Sequence, residues 1–412
     1  MTPAPGDLIK DPNAAELDLV AAYDAFEDDP RRERAFTAFA ANGLPHRRME
    51  AFKWTDFKAR LKTLNGGAGA RPDPFSEIEG HSIVFRNGRA DGLEDLPEGL
   101  RALAKTDGQS FAAAEDVPLG AMTAALTPET IMVEVTEQVR SPLKLIYVNS
   151  GDAGFARIVF LVRKGASVDI VESQLGGAGL NASLSSFSVQ SGGRVTRTMI
   201  QPSGAPGEAM AITADIHLSA EAEYVQTVLA FGGQVARIET RLVHEEDAAR
   251  ATLNAAYLAG QDAHIDFTSH VRHGARACVT EQRTKGAVMN GGEGVFQGKF
   301  HVPRNVGQQT DADMQHNALL LEDGAVVNAK PELEIYADDV ACAHGNTCGA
   351  LDDEALFYMR QRGIPELAAK ALLTEAFIAE ALETAYGPAL EIMTDTARSW
   401  LQAAATETLQ AG

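Results

Sequence analysis

Leu143-Lys144-Leu145-Ile146-Tyr147-Val148, Ala156-Arg157-Ile158-Val159-Phe160-Leu161-Val162 and Gly165-Ala166-Ser167-Val168 together decide the reading of the fold. In the first two runs, as in Met132-Val133-Glu134-Val135 upstream, the apolar pattern has a period of two. That period puts alternate side chains on one face of a strand. The third run is a glycine turn feeding a strand. Similar turn-then-strand signals recur at Gly192-Gly193-Arg194-Val195, Ala220-Glu221-Ala222-Glu223 and Gly232-Gly233-Gln234-Val235. The pattern continues from about residue 131 to His344 without a convincing long helix. So long a run of short strands fits a large sandwich, a propeller or a solenoid. The turn intervals are irregular and no blade signature repeats, which favours a degenerate β-solenoid.

On either side the period lengthens to that of a helix. Leu17, Val20, Tyr23 and Phe26 suggest one helical face, and Asp29-Pro30 reads as an N-cap with proline at the first helical position. Ala35, Phe36, Phe39 and Ala40 form a second stripe, ended by Gly43-Leu44-Pro45. Gly66-Gly67-Ala68-Gly69 with Pro72 and Pro74 reads as a loop, and residues 82–114 are mixed. After Gly349, Asp352-Asp353-Glu354 gives a helix an acidic first turn. Gly363-Ile364-Pro365 and Gly387-Pro388 break the tail into further helices, the last with Leu390, Met393, Ala397, Trp400 and Ala404 on one stripe.

Composition narrows the function. The 412 residues carry 36 Lys and Arg against 57 Asp and Glu, a formal net charge of −21. Such a chain is a poor nucleic-acid binder and a poor match for an anionic membrane surface. No apolar run is long enough to span a bilayer. Met1-Thr2-Pro3-Ala4-Pro5-Gly6-Asp7 lacks the features of a signal peptide. The three cysteines, Cys278, Cys342 and Cys348, do not make a disulfide framework. A reducing, cytoplasmic setting is expected.

No Walker loop occurs, so no nucleotide hydrolysis by this chain is expected. Gly177-Ala178-Gly179-Leu180-Asn181-Ala182 matches a dinucleotide fingerprint in letters, but Ser183-Leu184-Ser185-Ser186-Phe187 after it reads as strand, not helix. The strongest cluster is Ala341-Cys342-Ala343-His344-Gly345-Asn346-Thr347-Cys348. In a strand Cys342 and His344 share a face, a thiolate beside an imidazole. Leu333 and Ile335 lie in the opposite phase, so a bulge or solenoid corner is expected at Asp338-Asp339. Cys348 could join the pair if residues 345–347 turn; the plain alternative is a small buried cysteine beside a satisfied histidine. His264, His270 and His273 lie close in sequence, and His270 and His273 with Asp262 and Asp266 could be read as a metal site, but isolated His and Asp on strand edges are more often solvated; Glu245-Glu246-Asp247 reads as a solvated turn, and Cys278 has no nucleophile context. The carboxylate pairs Asp311/Asp313 and Asp338/Asp339 would suit a β-helical enzyme acting on a carbohydrate or small substrate, but aromatics are only 6% of the chain.

Lys330-Pro331-Glu332-Leu333-Glu334-Ile335-Tyr336-Ala337-Asp338-Asp339-Val340-Ala341-Cys342-Ala343-His344-Gly345 resembles the SufB–SufD family of iron–sulfur cluster assembly scaffolds. The similarity extends back through Phe296-Gln297-Gly298-Lys299 and on through Leu356-Phe357-Tyr358-Met359-Arg360-Gln361-Arg362-Gly363-Ile364; Phe52-Lys53-Trp54-Thr55-Asp56 resembles the family's N-terminal segment. It is specific over residues 296–364 and general over 131–279. The shorter, cysteine-poor chain with its Cys-x-His-Gly block resembles the SufD branch. The resemblance implies a mainly β fold: a right-handed parallel β-helix core at 126–348, a largely helical N-terminal domain at 1–125 and a C-terminal helical domain at 349–412. It implies a non-catalytic scaffold that pairs with SufB and docks the ATPase SufC through Asp352, Leu356, Phe357, Tyr358, Arg360, Arg362, Gly363 and Ile364. It also implies a transient iron–sulfur cluster helped by His344 and Cys342, with ATP entering only through SufC. Cys348 departs from the family pattern. Flavin is associated with the family, and an isolated chain could pair with itself as a homodimer. Iron needs a neutral imidazole, so assembly is expected to weaken as His344 protonates.

Overall fold

The computed structural model describes residues 5–64, 66–67, 69–103, 117–202 and 207–411. Two sheets take alternate strands of one winding chain. The first contains β1 (His81–Arg86), β2 (Arg89–Asp91), β5 (Leu143–Val148), β7 (Ser167–Gln174), β9 (Arg194–Gln201), β11 (Glu223–Ala230), β13 (Arg250–Ala259), β15 (Val279–Val288), β17 (Asp311–Leu320) and β19 (Ala341–Gly349). The second contains β3 (Leu100–Leu103), β4 (Thr130–Val135), β6 (Ala153–Val162), β8 (Leu180–Val189), β10 (Ala209–Leu218), β12 (Val235–His244), β14 (His264–His273), β16 (Glu293–Val302) and β18 (Val326–Ile335). From β4 onward every strand pairs in parallel with the strand two places ahead, so the β-solenoid is as the sequence predicts. The mixed segment beginning at residue 82 supplies β1–β3, with β2 and β3 antiparallel to their neighbours; residues 104–114, like Met1–Ala4 and Ala68, lie outside the described residues.

The winding stacks like on like. Ile212 and Ile216 of β10 sit in register with Ile238 and Leu242 of β12, all buried between the sheets. One corner repeats with the same backbone. Gly165, Gly192, Glu221, Ala248, Ala277 and Gln309 are all left-handed, 27 to 32 residues apart. Each donates its N–H to a carbonyl at the corner of the next turn, Glu221 to Asp247 and Ala248 to Arg276 among them. Only the first two are glycines, so the sequence hides the period. Polar groups also line the interior. Arg197 makes a two-pronged ion pair with Glu172 at 2.7 and 2.8 Å, and Gln226 bonds the same guanidinium at 3.0 Å.

Helices pack on the outer faces. In α1 (Ala14–Asp24), Asn13 and Glu16 form a reciprocal capping box. The fully buried residues are Ala15, Glu16 and Leu19; of the expected stripe Val20, Tyr23 and Phe26 are half-buried against the same core, while Leu17 is 54% exposed. Glu16 is held inward because it also accepts from the Leu44 N–H and pairs with Lys58. In α2 (Pro30–Ala40), Asp29 caps and Ala35, Phe36, Phe39 and Ala40 are buried, as predicted. After α3 (Phe57–Arg60), α4 (Pro118–Leu126) is almost wholly buried. The segment Phe52-Lys53-Trp54-Thr55 clasps the second sheet. Phe52 lies 4.1 Å under the Arg237 guanidinium, and Thr55 bonds His264 at 3.0 Å and Asp266 at 2.5 Å. The tail forms α5 (Asp353–Gln361), α6 (Glu366–Ala379) and α7 (Gly387–Ala411). Ile378, Met393, Ala397 and Leu401 share a core with Ile200, Leu229 and Phe231 on the first sheet's outer face. Among the described residues no helix is long and apolar enough to cross a membrane.

Three histidines are buried inside the solenoid. His244 and His273 stack at 4.9 Å and share the Thr280 hydroxyl, each at 2.9 Å. Burial pushes His273 and His316 down to about 4 and His244 well below the usual imidazole range. The unfolded chain binds these protons near pH 6.5, so their stabilisation is complete above that pH and is lost as pH falls towards 4. The urea midpoint is therefore expected to drop between pH 6.5 and 4, less steeply in His273→Leu. A flat midpoint across that window, or an unchanged slope in the variant, would contradict the assignment.

Candidate site at the open end of the solenoid

β18 and β19 are the last strands of their sheets. Neither contains a fully buried residue, because among the described residues no further turn covers them. Val326, Ile335 and Tyr336 are exposed at 46%, 37% and 53%. On β19 the register settles which side chains face inward. Cys342 pairs with Ala312, His344 with Met314, Asn346 with His316 and Cys348 with Ala318, and those partners are all buried. Cys342 and His344 therefore share one face, as predicted, and the phase changes at a corner through Asp338-Asp339. Cys342 is half-buried against the core, and its thiol is pushed up by burial and then by Asp311. His344 is exposed.

Cys348 lies on the same face but does not close the site. Residues 345–347 continue the strand instead of turning. At 3.3 Å per residue, Cys348 stands about 20 Å from Cys342, too far to share a metal ion. Among the described residues no three His, Cys, Asp or Glu side chains converge as a metal site. Cys342 and His344 thus offer two donors, and a tetrahedral ion needs the others from elsewhere.

The remaining sequence candidates do not converge. His264 and His273 are fully buried, not solvated edge residues. His264 bridges Thr55 and Glu293 outside the second sheet, whereas His273 faces the interior. His270 is half-buried on the outer face. Cys278 is buried with its thiol raised to about 11 by that burial, which suits an inert residue. Glu245-Glu246-Asp247 is an exposed corner, and residues 177–182 form a loop running into β8 with no helix. Asp311 and Asp313 line a polar groove of about 340 Å3 with Glu281, Arg283, Gln315 and Thr384, without an aromatic wall.

The tail carries a second exposed surface. Asp352 caps α5 by accepting from the Glu354 and Ala355 N–H groups. This helix buries nothing, and Phe357 and Tyr358 are 63% and 58% exposed. Arg362 stacks over Tyr358 at 4.6 Å, and Arg360 pairs with Glu366 at 3.2 Å. Gly363 ends the helix in the left-handed region, and the Ile364 N–H returns to Met359.

A family model described as the SufBD core domain of the SUF system for FeS cluster assembly matches residues 146–377, more than half of the chain. The chain belongs to the SufBD family. The match takes in the turns where the sequence shows only a general pattern. Iron-sulfur cluster assembly protein SufD of Escherichia coli is 34% identical over 41% of this chain and 40% of its own length. A SufBD family protein of Synechocystis is 27% identical over 86% of each chain, and one from Mycobacterium bovis 27% over 82% and 84%. The chain thus spans under half of the Escherichia coli relative it matches.

Burial orders the three thiols. Alkylation by iodoacetamide, followed by mass spectrometry of the peptides, is expected to label Cys348 first, then Cys342, with Cys278 protected until unfolding. Early labelling of Cys278 would contradict the packing described.

Proposed function

We propose that this chain is a non-catalytic, SufD-like scaffold subunit of a SUF complex, pairing with a SufB-like paralogue through the open end of the solenoid. The observation that carries the reading is the uncovered last turn. Two unpaired strand edges, a half-covered inner face and exposed Val326, Ile335 and Tyr336 support a partner there. Cys342 and His344 lie on that face, so the ligands missing from this chain would come from the protein that covers it. Iron and sulfide are the cargo: the exposed imidazole binds iron when neutral, and the Cys342 thiol gives up its proton as the metal arrives. The paralogue would shield the nascent cluster from water.

Asp352, Leu356, Phe357, Tyr358, Arg360, Arg362, Gly363 and Ile364 form the proposed dock for a SufC-like ATPase, supported by a helix that buries none of its own residues. ATP would act only through that subunit, in the cytoplasm. We assign the flavin associated with the family to no residue of this chain. The same open end would accept a second copy of this chain, which makes a homodimer the competing reading for the isolated protein.

Anaerobic affinity capture from the native cell extract, with the bound proteins identified by mass spectrometry, is expected to recover an ABC-type ATPase and a cysteine-richer paralogue. In the captured complex His344→Ala should assemble normally yet lose most of its cluster; undiminished yield would remove His344 from the mechanism. Phe357→Glu should release the ATPase and leave the paralogue bound, since α5 stands clear of the shared core. Retention of the ATPase would refute the dock.

A further inference from the structure

The inner face of β19 carries a third polar side chain between His344 and Cys348, and the interior holds it in place. Asn346 Oδ1 lies 2.7 Å from His316 Nδ1, and His316 Nε2 lies 3.0 Å from the Tyr257 hydroxyl. A carboxamide oxygen only accepts, so Nδ1 of His316 carries the proton. Nε2 of the neutral ring then accepts from Tyr257. Burial keeps that ring neutral. His316 is stacked on Phe296 with centroids 4.6 Å apart and 3° between the planes. Tyr257 reaches it across two strands because Gly286 and Gly294 leave room. A Cβ at Gly286 would sit 1.9 Å from the Tyr257 ring, and one at Gly294 2.6 Å away.

A simple need for an acceptor does not account for this chain. Asn346 is exposed, and water at the open end could accept the hydrogen bond from His316 Nδ1–H as well. What the chain adds is direction. With Oδ1 committed to His316, both N–H groups of the carboxamide are left for another acceptor. They stand one residue pair, about 7 Å along the strand, from His344. Sulfide and thiolate sulfurs are anionic acceptors, and hydrogen bonds to them tune an iron–sulfur group. Asp311 beside Cys342 adds negative charge there, so a neutral donor is of use.

We propose that Asn346 is a working residue of the edge row, donating its amide N–H groups to sulfide of an iron–sulfur group held at His344, with His316 and Tyr257 as its positioning residues. The inference rests on the metal-site reading above. It is tested on the complex with its paralogue, reconstituted anaerobically with ferrous iron and sulfide. Asn346→Asp keeps an acceptor for His316 and removes both donors; Asn346→Leu removes them without adding charge. Both are expected to fold and pair like the parent. Each should lose its iron–sulfur absorption to a chelator about fivefold faster, the scale of one hydrogen bond. The iron–sulfur stretching bands in the resonance Raman spectrum should shift in both, which a purely structural role would not produce. His344→Ala separates the two claims. If it forms no chromophore while both Asn346 variants match the parent in rate and spectrum, the role of Asn346 is wrong and the metal site stands. If it keeps the parent chromophore, the metal-site reading fails and takes this inference with it.

Discussion

A stack of parallel strands cannot satisfy its own last turn. Each turn covers the inner face of the one before and pairs with its backbone, so the final turn has a half-covered face and two strand edges with nothing beyond them. At the early end the chain solves this with antiparallel β2 and β3. At the late end it does not: β18 and β19 stay open. On the proposed function, Cys342 and His344 would put an incomplete ligand set and an incomplete fold in the same place. A covering protein would complete both at once.

The interior behind that end is built to hold still. Arg197 is among the largest fully buried side chains; its charge is answered by Glu172 on the neighbouring turn, and Gln226 hydrogen-bonds it from the other side. Leaving one member unpaired would be costly, so such a network resists slippage between turns more than it adds net stability. Closer to the open end the polar interior changes from ion pairs to neutral imidazoles at His244, His273 and His316, each partnered by a hydroxyl. Neutral rings can be buried without a counter-ion and still transmit orientation through hydrogen bonds.

Much of this was legible in residue order. The period of two, the glycine turns at Gly165 and Gly192 and the capped helix after Asp29 appear where the sequence puts them, because each is a local preference. The turn period was not legible, because Glu221, Ala248, Ala277 and Gln309 take the left-handed corner without being glycine. Those conformations are imposed by hydrogen bonds to the neighbouring turn, a non-local cause. Leu17 misled for a similar reason: spacing alone cannot show that Glu16 would be drawn inward by Leu44 and Lys58. At the site, the shared face of Cys342 and His344 followed from alternation, but Asn346 did not stand out. Its partner His316 lies thirty positions away, and only the register of β17 with β19 brings them together.

The two helical regions bear on the same end from opposite sides. On the second sheet Glu50 pairs with Lys330 of β18 at 2.9 Å, and Gln297 of β16 donates to the Ala51 carbonyl at 3.0 Å. On the first, Lys285 of β15 pairs with Glu380 and lies 4.4 Å over the Phe377 ring. The tail helix that seats Phe377 follows directly on α5, the helix with no buried residue. On the proposed function, a force applied by the ATPase at Phe357 and Tyr358 meets little resistance until it reaches α6, which is anchored beside β15 and two strands from Cys342. Packed elements shift as units because close-packed interfaces do not deform smoothly. The exposed helix and the open edge would then be two ends of one lever, with the shared core between α6, α7 and the first sheet as its fulcrum.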